Sequence, residues 1–237
     1  MRKSPLPMAA CIIIITMTDA GRLALLRLLT WLSPAFPVGA FAYSHGLERA
    51  IHDGVLRDRE TLVEWLSDLL VSGSGWNDGV LLAESWREAV SGEPVCTAEL
   101  AEALAGSRER HMETMLQGEG FAQAVEAWAK ATPSGVRSDL SYPVAVGAAA
   151  ARHNIELEPV LAAYFHAFAS NLVQAAVRLI PLGQSDSVAA MAALEPVVSD
   201  LAVKASASSL DDLGSATLMS EIMAMRHETQ YSRVFRS

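Results

Sequence analysis

Three side chains with metal-binding chemistry lie close together in the first quarter of the chain. His45, Glu48 and His52 follow one another at spacings of three and four residues, which would place them on one face of a helix. Imidazole and carboxylate ligands suit nickel and similar divalent metals. The two histidines would nevertheless stand about 10 Å apart along the helix axis, so at most a Glu–His pair could chelate one ion. Solvated or partner-contacting side chains are therefore the favoured interpretation, and direct nickel binding is the alternative.

The sequence contains no recognisable catalytic arrangement. His227-Glu228 begins like the zinc-protease motif, but Tyr231 stands where that motif requires its second histidine. The serines lack the G-x-S-x-G pattern of a nucleophile elbow, and neither Cys11 nor Cys96 has a histidine nearby in the sequence. We therefore predict a protein that is not an enzyme, with no catalytic residue, no metal site and no cofactor.

The composition favours a protein that binds other proteins. Hydrophobic residues make up 51% of the 237 residues and charged residues only 19%, and the mean hydropathy is +0.24. Because no segment reaches the about eighteen apolar residues of a membrane span, the excess apolar surface is expected in the core or in protein–protein interfaces. The net charge of −9 argues against a general nucleic-acid binder. Two cysteines make neither a disulfide framework nor a zinc site, which favours the reducing cytoplasm.

The first sixteen residues need a separate interpretation. Arg2 and Lys3, followed by the run M-A-A-C-I-I-I-I-T-M, imitate a secretory signal. The apolar run is short for such a signal, and no clear A-x-A cleavage site follows it. Secretion is therefore not favoured, and residues 1–16 are interpreted as a disordered or mis-assigned extension.

Helical periodicity extends over most of the chain and predicts an all-α fold. The clearest case is 59–71, where Asp58 caps the helix and Leu62, Leu66 and Leu69 fall on one face. No segment shows strand alternation, so we predict one domain, residues 17–237, built as a bundle of about ten helices. The expected helices are 23–32, 44–53, 59–71, 76–90, 98–105, 107–131, 144–152, 160–180, 186–206 and 214–225.

Glycine and proline mark the expected interruptions of these helices. The glycine-rich run 73–79 lacks the lysine and hydroxyl of a phosphate-binding loop and is expected to form a turn between helices. Gly118 and Gly120 allow helix 107–131 either to kink or to pack against different neighbours. Pro143 suits the first turn of helix 144–152, and Pro196 is expected to kink or split helix 186–206.

The segment 33–48, S-P-A-F-P-V-G-A-F-A-Y-S-H-G-L-E, is too rich in proline and glycine for a helix and too apolar for an ordinary loop. Pro34 and Pro37 reduce the ordering cost of binding, and Phe36, Phe41 and Tyr43 supply aromatic anchors. We therefore expect a partner-binding surface over 34–45. The alternative is a buried connector whose aromatic side chains fill the core.

The C-terminal segment 226–237 combines basic and apolar side chains. These are Arg226, Arg233 and Arg236, with Tyr231, Val234 and Phe235. So short a segment is unable to bury its apolar groups alone, and chain ends are usually disordered unless they are tied down. We therefore expect a flexible tail that folds on a partner, with Phe235 filling a pocket there and the arginines pairing with carboxylates.

Three blocks of the sequence resemble the UreF family of urease accessory proteins. They are L-L-R-L-L-T-W-L-S-P-A-F-P-V-G-A-F-A-Y-S-H-G-L-E at 25–48, A-A-V-R-L-I-P-L-G-Q at 175–184 and M-R-H-E-T-Q-Y-S-R-V-F-R-S at 225–237. The resemblance implies a helical, cytoplasmic dimer that joins UreD, also called UreH, to the GTPase UreG. That assembly is expected to deliver nickel into apo-urease. The UreF protein itself is expected to regulate the GTPase cycle of UreG without GTP chemistry of its own.

Residue patterns and resemblance together give a set of candidate partner-binding residues. Arg178 lies with Asn171 and Gln174 on a polar face of helix 160–180, where these groups could hydrogen-bond across a homodimer axis. The resemblance implies that the tail contacts UreD and that Arg233 then couples it to the loop containing Tyr43. The full set is Pro34, Phe36, Pro37, Phe41, Tyr43, His45, Arg178, Gln184, Arg226, Tyr231, Arg233, Phe235 and Arg236.

Overall fold

The computed structural model describes residues 18–92, 96–129 and 134–236, and the predicted extension 1–16 lies outside these ranges. Within them the chain forms helices, turns and loops and no β-strand, which confirms the predicted all-α fold. The helices are α1 (Asp19–Trp31), α2 (Leu47–His52), α3 (Arg59–Ser72), α4 (Ser74–Ser91), α5 (Thr97–Ala103), α6 (Arg108–Val125), α7 (Tyr142–Arg152), α8 (Leu157–Leu179), α9 (Gln184–Ser206) and α10 (Leu218–His227). Short 3₁₀ turns lie at Ala40–Ala42, Glu126–Trp128 and Leu210–Asp212.

Helix α8 runs through the centre of the core. It packs along α9 and also touches α4, α2, α3 and α7, and its Leu161, Phe165 and Leu172 are almost completely buried. By length and composition α8 could cross a membrane. The statement from the sequence that no segment is long and apolar enough to span a membrane is therefore wrong for this helix. However, 56% of its apolar window is buried inside the protein. A central core helix is apolar around much of its circumference and therefore passes the same test.

Two glycines let helices approach one another closely. The predicted turn between helices is limited to Gly73, because α3 ends at Ser72 and α4 already begins at Ser74 and contains Gly79. A Cβ atom at Gly79 would collide with the ring of Phe165 on α8. Gly118 faces the backbone of Leu140, just before α7, and α6 continues through it as one helix. At both positions the missing side chain serves packing between helices.

Helix α2 begins later than the sequence predicts. Ser44 is expected to cap a helix that runs to Asp53, whereas α2 starts at Leu47. His45 and Gly46 precede it with φ angles of 52° and 75°, left-handed values that histidine adopts rarely and glycine readily. A Cβ atom at Gly46 would lie 2.5 Å from the backbone nitrogen of Ala224 on α10. The close approach of α10 therefore fixes this turn and delays the helix.

The remaining boundaries differ from the prediction by a few residues. Helix α6 and the 3₁₀ turn after it end at Trp128, and α9 passes through Pro196 without splitting. Helix α10 reaches His227, so the first residues of the expected tail are helical. Pro143 lies in the first turn of α7 and Asp58 caps α3, both as predicted.

Candidate functional site

Two aromatic side chains of the proline-rich loop point into the core. Phe36 is buried against Phe121 and Trp128, with ring centroids 5.6 and 6.1 Å away. Tyr43 is only 4% exposed. These two rings therefore behave as the alternative interpretation describes, because burial removes large apolar surfaces from water. Neither is available as a surface anchor in this chain.

The outer residues of the same loop remain on the surface. Phe41 is 62% exposed on the 3₁₀ turn Ala40–Ala42, and Pro34 and Pro37 are exposed on either side of Phe36. An aromatic ring held in water by a loop with buried anchors is typical of a contact residue. Of the three aromatic residues of the loop, Phe41 is thus the one that remains on the surface.

The side chain of His45, at the end of the loop, belongs to a buried polar cluster. This cluster, named the inner cluster here, consists of His45, Asp78, Arg110, Glu113 and Tyr164. Nε2 of His45 lies 2.9 Å from Oε1 of Glu113. Arg110 contacts Glu113 at 3.3 Å and donates to Asp78 at 2.5 Å. The hydroxyl of Tyr164 donates to the same oxygen of Asp78 at 2.8 Å. The two carboxylates are therefore compensated by positive or hydrogen-bond-donating groups, which buried charges require.

Glu113 and Arg110 of the inner cluster keep their charges despite burial. Burial raises the pKa of Glu113, but His45 and Arg110 lower it by more, so the pKa lies below its usual value. Burial lowers the pKa of Arg110, while Asp78 and Glu113 raise it, and the net shift is upward. Burial raises the pKa of Tyr164, so this phenol stays neutral. The cluster borders a cavity of about 300 Å³ between α4, α6 and α10.

The structure separates the three candidate metal ligands. His45 contacts Glu113, Glu48 faces the C-terminal segment, and the exposed His52 contacts Asp53. Since His45 lies before α2, the helical face that would unite the three side chains does not form. In the part of the chain that the structure describes, no group of three or more His, Cys, Asp or Glu side chains is arranged to hold a metal ion. The nickel-ligand alternative therefore loses its geometric basis.

The C-terminal segment differs from the expected free tail, because it packs against the helices. The carboxylate of Glu48 accepts hydrogen bonds from the backbone N–H groups of Val234 at 2.8 Å and of Phe235 at 2.9 Å. Phe235 is buried, and the guanidinium carbon of Arg178 lies 5.0 Å from its ring centroid. Phe235 thus fills a pocket of its own chain. The groups that hold it are distant in sequence, so a short window does not reveal them.

A second charged cluster underlies this contact and is named the tail lock here; it consists of Glu48, Glu109, His227 and Arg233. His227 is fully buried, with Nδ1 2.8 Å from Oε2 of Glu109 and Nε2 3.2 Å from Oε2 of Glu48. Arg233 donates to the other oxygen of Glu109 at 2.5 Å. Each ring nitrogen of His227 therefore faces a carboxylate oxygen, one on α6 and one on α2.

The loop and the C-terminal segment meet, although they are nearly a chain length apart. The backbone N–H of Arg236 donates to the carbonyl oxygen of Ala42 at 2.8 Å, next to Tyr43. Arg233, which the resemblance couples to this loop, contacts Glu109 instead in this state. The backbone of Arg236, and not the side chain of Arg233, therefore joins the two segments here.

Other members of the candidate set lie on the surface around or away from this contact. Tyr231 is completely exposed at the start of the docked segment. Gln184 is exposed at the first position of α9. Arg226 is exposed on α10, and its guanidinium lies 3.7 Å from Asp53. The structure thus brings the loop and the tail together and leaves Gln184 on a different element.

The sequence analysis missed the acidic side chains that hold both clusters. Helix α6 buries one residue at every fourth position, namely Glu109, Glu113, Gln117, Phe121 and Val125. Hydrophobicity alone selects Met112 and Leu116, which are exposed. The signal that could have found the acidic pair is the constant spacing of four, which continues the apolar stripe into polar residues on the same face.

Comparison with known proteins identifies the family. The model of the UreF family matches residues 56–195. Urease accessory protein UreF 1 of Brucella anthropi is 56% identical over 226 residues, which cover 95% of this chain and 99% of the relative. The protein of the same name from Brucella canis is 57% identical over 227 residues, 95% of this chain and 100% of the relative. Urease accessory protein UreF of Mesorhizobium japonicum is 54% identical over 223 residues, 93% of this chain and 100% of the relative. The chain therefore belongs to the UreF family of urease accessory proteins, the family that its three sequence blocks indicate.

Proposed function

We propose that this chain is a non-enzymatic adaptor of urease maturation in the cytoplasm. It binds UreD (UreH) and the GTPase UreG, regulates the GTPase cycle of UreG, and so promotes nickel insertion into apo-urease. Nickel is the cargo of this assembly and needs no binding site on the adaptor itself. The relatives are urease accessory proteins by name, and the particular partners follow from the resemblance of the sequence blocks.

The observation that carries this proposal is the joint surface of loop and tail. Phe41, Tyr231 and Val234 are exposed there, and Val234 is 70% accessible although its backbone is fixed by Glu48. Arg236 adds positive charge to a protein whose net charge is −9. Apolar side chains on a fixed backbone lose little conformational entropy on binding, and the local positive charge attracts an acidic partner. This joint surface is therefore the proposed partner site.

Homodimerisation is the second part of the proposal. The polar face of α8 supports it less than expected, because Arg178 covers Phe235 and Gln174 donates to Ser187. Helix α1 supports it better, since an exposed apolar strip runs along it: Leu23, Leu25, Leu26 and Leu29. Sedimentation at micromolar concentration tests this part, and a monomer would contradict it.

A pull-down with UreD and UreG from the same organism tests the adaptor function. We expect Phe41→Ala to weaken the complex about tenfold or more, as truncation of a central aromatic contact does. The matched control is Val203→Ala, which shortens a residue of α9 that is 54% exposed and not part of the joint surface. Circular dichroism checks that both variants keep their helices.

Three outcomes would contradict the adaptor proposal. One is a wild-type chain that captures neither partner, and another is a Phe41→Ala variant that binds as the control does. The third is tight stoichiometric nickel binding by the isolated chain in equilibrium dialysis, which would support a metallochaperone instead. We expect weak or no stoichiometric binding, because the three candidate ligands point to different places.

A further inference from the structure

The cavity between α4, α6 and α10 is lined by residues that carry unpaired polar atoms. Among the residues that the structure describes, eight buried side-chain nitrogen and oxygen atoms lack a hydrogen-bond partner. Three of them, Nδ1 of His45, Oε2 of Glu113 and Oγ of Ser141, belong to residues that line this one cavity. Buried polar groups are ordinarily hydrogen-bonded, so such a concentration needs an explanation. We propose that the cavity binds a small organic cation, an ammonium head group with an apolar body.

The size and the walls of the cavity suit a small molecule. Its volume of about 300 Å³ lies at the lower end of the range of ligand pockets, about 300–1,000 Å³. Leu81 and Ala101 are buried residues of its wall, and Pro143 and Ala224 add further apolar lining. Ligand pockets typically combine such apolar walls with a few polar groups that fix the orientation of the ligand. The apolar walls would contact the body of the ligand.

The charged residues that line the cavity favour a cation. Asp78 and Glu113 are two carboxylates against the single guanidinium of Arg110, and Glu221 of α10 adds a third carboxylate. Burial raises the pKa of Glu113, but His45 and Arg110 lower it by more, so this group is ionised at neutral pH. An ammonium group forms charge-assisted hydrogen bonds with a carboxylate, whereas a ligand carboxylate would be repelled.

The hydrogen bonds of Glu113 leave one of its oxygens for such a donor. Its Oε1 accepts from Nε2 of His45 and from the side-chain nitrogen of Gln117, both at 2.9 Å. Its Oε2 pairs with Arg110 at 3.3 Å but accepts no hydrogen bond from the described residues. An ammonium group has three donors and can supply this hydrogen bond. Because Oε2 has almost no access to solvent, small side-chain adjustments accompany binding.

The test uses three probes of similar shape that differ in the head group: 2-phenylethylammonium, 2-phenylethanol and 3-phenylpropanoate. Each is titrated into the ¹⁵N-labelled full chain at pH 7, and binding is followed by the shifts of the amide resonances. We expect shifts at Leu81, Ala101 and Ser141, which line the cavity, and none at Leu194 and Ala202 on α9. The ammonium probe should bind about tenfold or more tightly than the alcohol, because its hydrogen bonds are charge-assisted. The anionic probe should bind more weakly than the alcohol.

Two variants separate a head-group site from a merely structural role. Glu113→Gln keeps the shape of the side chain and removes its charge. It should weaken binding of the ammonium probe about tenfold and leave the affinity for the alcohol unchanged, whereas a structural loss would weaken both. The matched control is Glu119→Gln on the exposed face of the same helix, which should bind every probe as the wild type does. Ala101→Met extends a flexible side chain from a buried wall residue and should weaken the ammonium probe and the alcohol alike.

Circular dichroism checks that the variants fold, and Ala101→Met decides the matter if Glu113→Gln does not. The proposal is overturned if 2-phenylethylammonium leaves the cavity amides unshifted or binds no more tightly than 3-phenylpropanoate. It is also overturned if Ala101→Met binds the ammonium probe as the wild type does, or if folded Glu113→Gln weakens the ammonium probe and the alcohol equally. Selective binding of the ammonium probe that both variants weaken and Glu119→Gln preserves supports it. Neither UreD nor UreG takes part, so the result is independent of the adaptor function.

Discussion

Removal of the Glu113 carboxylate is the most direct test of how the loop is held. Glu113 accepts from Nε2 of His45 and from the side-chain nitrogen of Gln117, both at 2.9 Å, and pairs with Arg110 at 3.3 Å. Its side chain is 3% exposed. Glu113→Ala leaves these groups without their acceptor inside the protein. Breaking a buried ion pair by removing one partner costs about 3–5 kcal/mol.

Urea unfolding followed by circular dichroism at pH 7 measures this cost. The matched control is Glu119→Ala on the same helix, where an exposed carboxylate accepts from Gln123 at 3.2 Å. Both variants gain the same helix propensity, so the difference between them isolates the buried cluster. The control should stay within about 0.5 kcal/mol of wild type. A loss below about 1 kcal/mol for Glu113→Ala would refute a cluster of this strength.

The same pair of variants gives a pH dependence of known sign. The pKa of Glu113 lies below its usual value of 4.5, because His45 and Arg110 outweigh the effect of burial. A carboxyl group with a lowered pKa contributes its stability above the unfolded-state pKa and loses it as pH falls through the folded-state value. The stability gap between wild type and Glu113→Ala should therefore be full at neutral pH and shrink in acid. A gap that widens on acidification would contradict the assignment.

Three further predictions concern packing and the tail. Gly118→Ala should lower the free energy of unfolding in urea by about 1–3 kcal/mol, because its methyl group would collide with the backbone of Leu140, just before α7. Gly106→Ala has open space around it and should leave the free energy of unfolding unchanged. Tyr43→Ala truncates a buried aromatic side chain and should lower the free energy of unfolding by about 3–5 kcal/mol. A loss near zero would contradict the burial of Tyr43. Deletion of residues 232–237 should leave the helical circular dichroism spectrum intact and abolish UreD binding and urease activation. Normal urease activation by the truncated chain would show that the tail is not part of the partner site.

The sequence predicts the helices well because amphipathic periodicity is a local property. The α3 cap at Asp58 and the first turn of α7 at Pro143 need only a few neighbouring residues to be recognised. The start of α2 is different, because the left-handed turn at His45 and Gly46 is fixed by α10, which is distant in the sequence. A contact between residues so far apart in the sequence is not visible in the residue pattern of a ten-residue segment.

The candidate site was only partly accessible to sequence reasoning for the same reason. Proline and aromatic content locates the loop, but content does not tell that Phe36 and Tyr43 face inward while Phe41 faces outward. The tail contributes the backbone N–H groups of Val234 and Phe235, yet their acceptor, Glu48, belongs to α2. Charged residues are ordinarily assigned to solvent, so a periodicity search based on apolar side chains passes over a buried carboxylate.

Helix α6 contributes a buried carboxylate to each of the two clusters. Glu109 belongs to the tail lock and Glu113 to the inner cluster, and the two are four residues apart on the same buried face. One turn of α6 therefore holds His227, and with it the tail, while the next holds His45 at the end of the loop. Apolar contacts tolerate sliding, whereas paired buried charges are strongly penalised when displaced. Any movement of this part of α6 must consequently disturb loop and tail together, in addition to the direct hydrogen bond from Arg236 to Ala42 that joins the two segments.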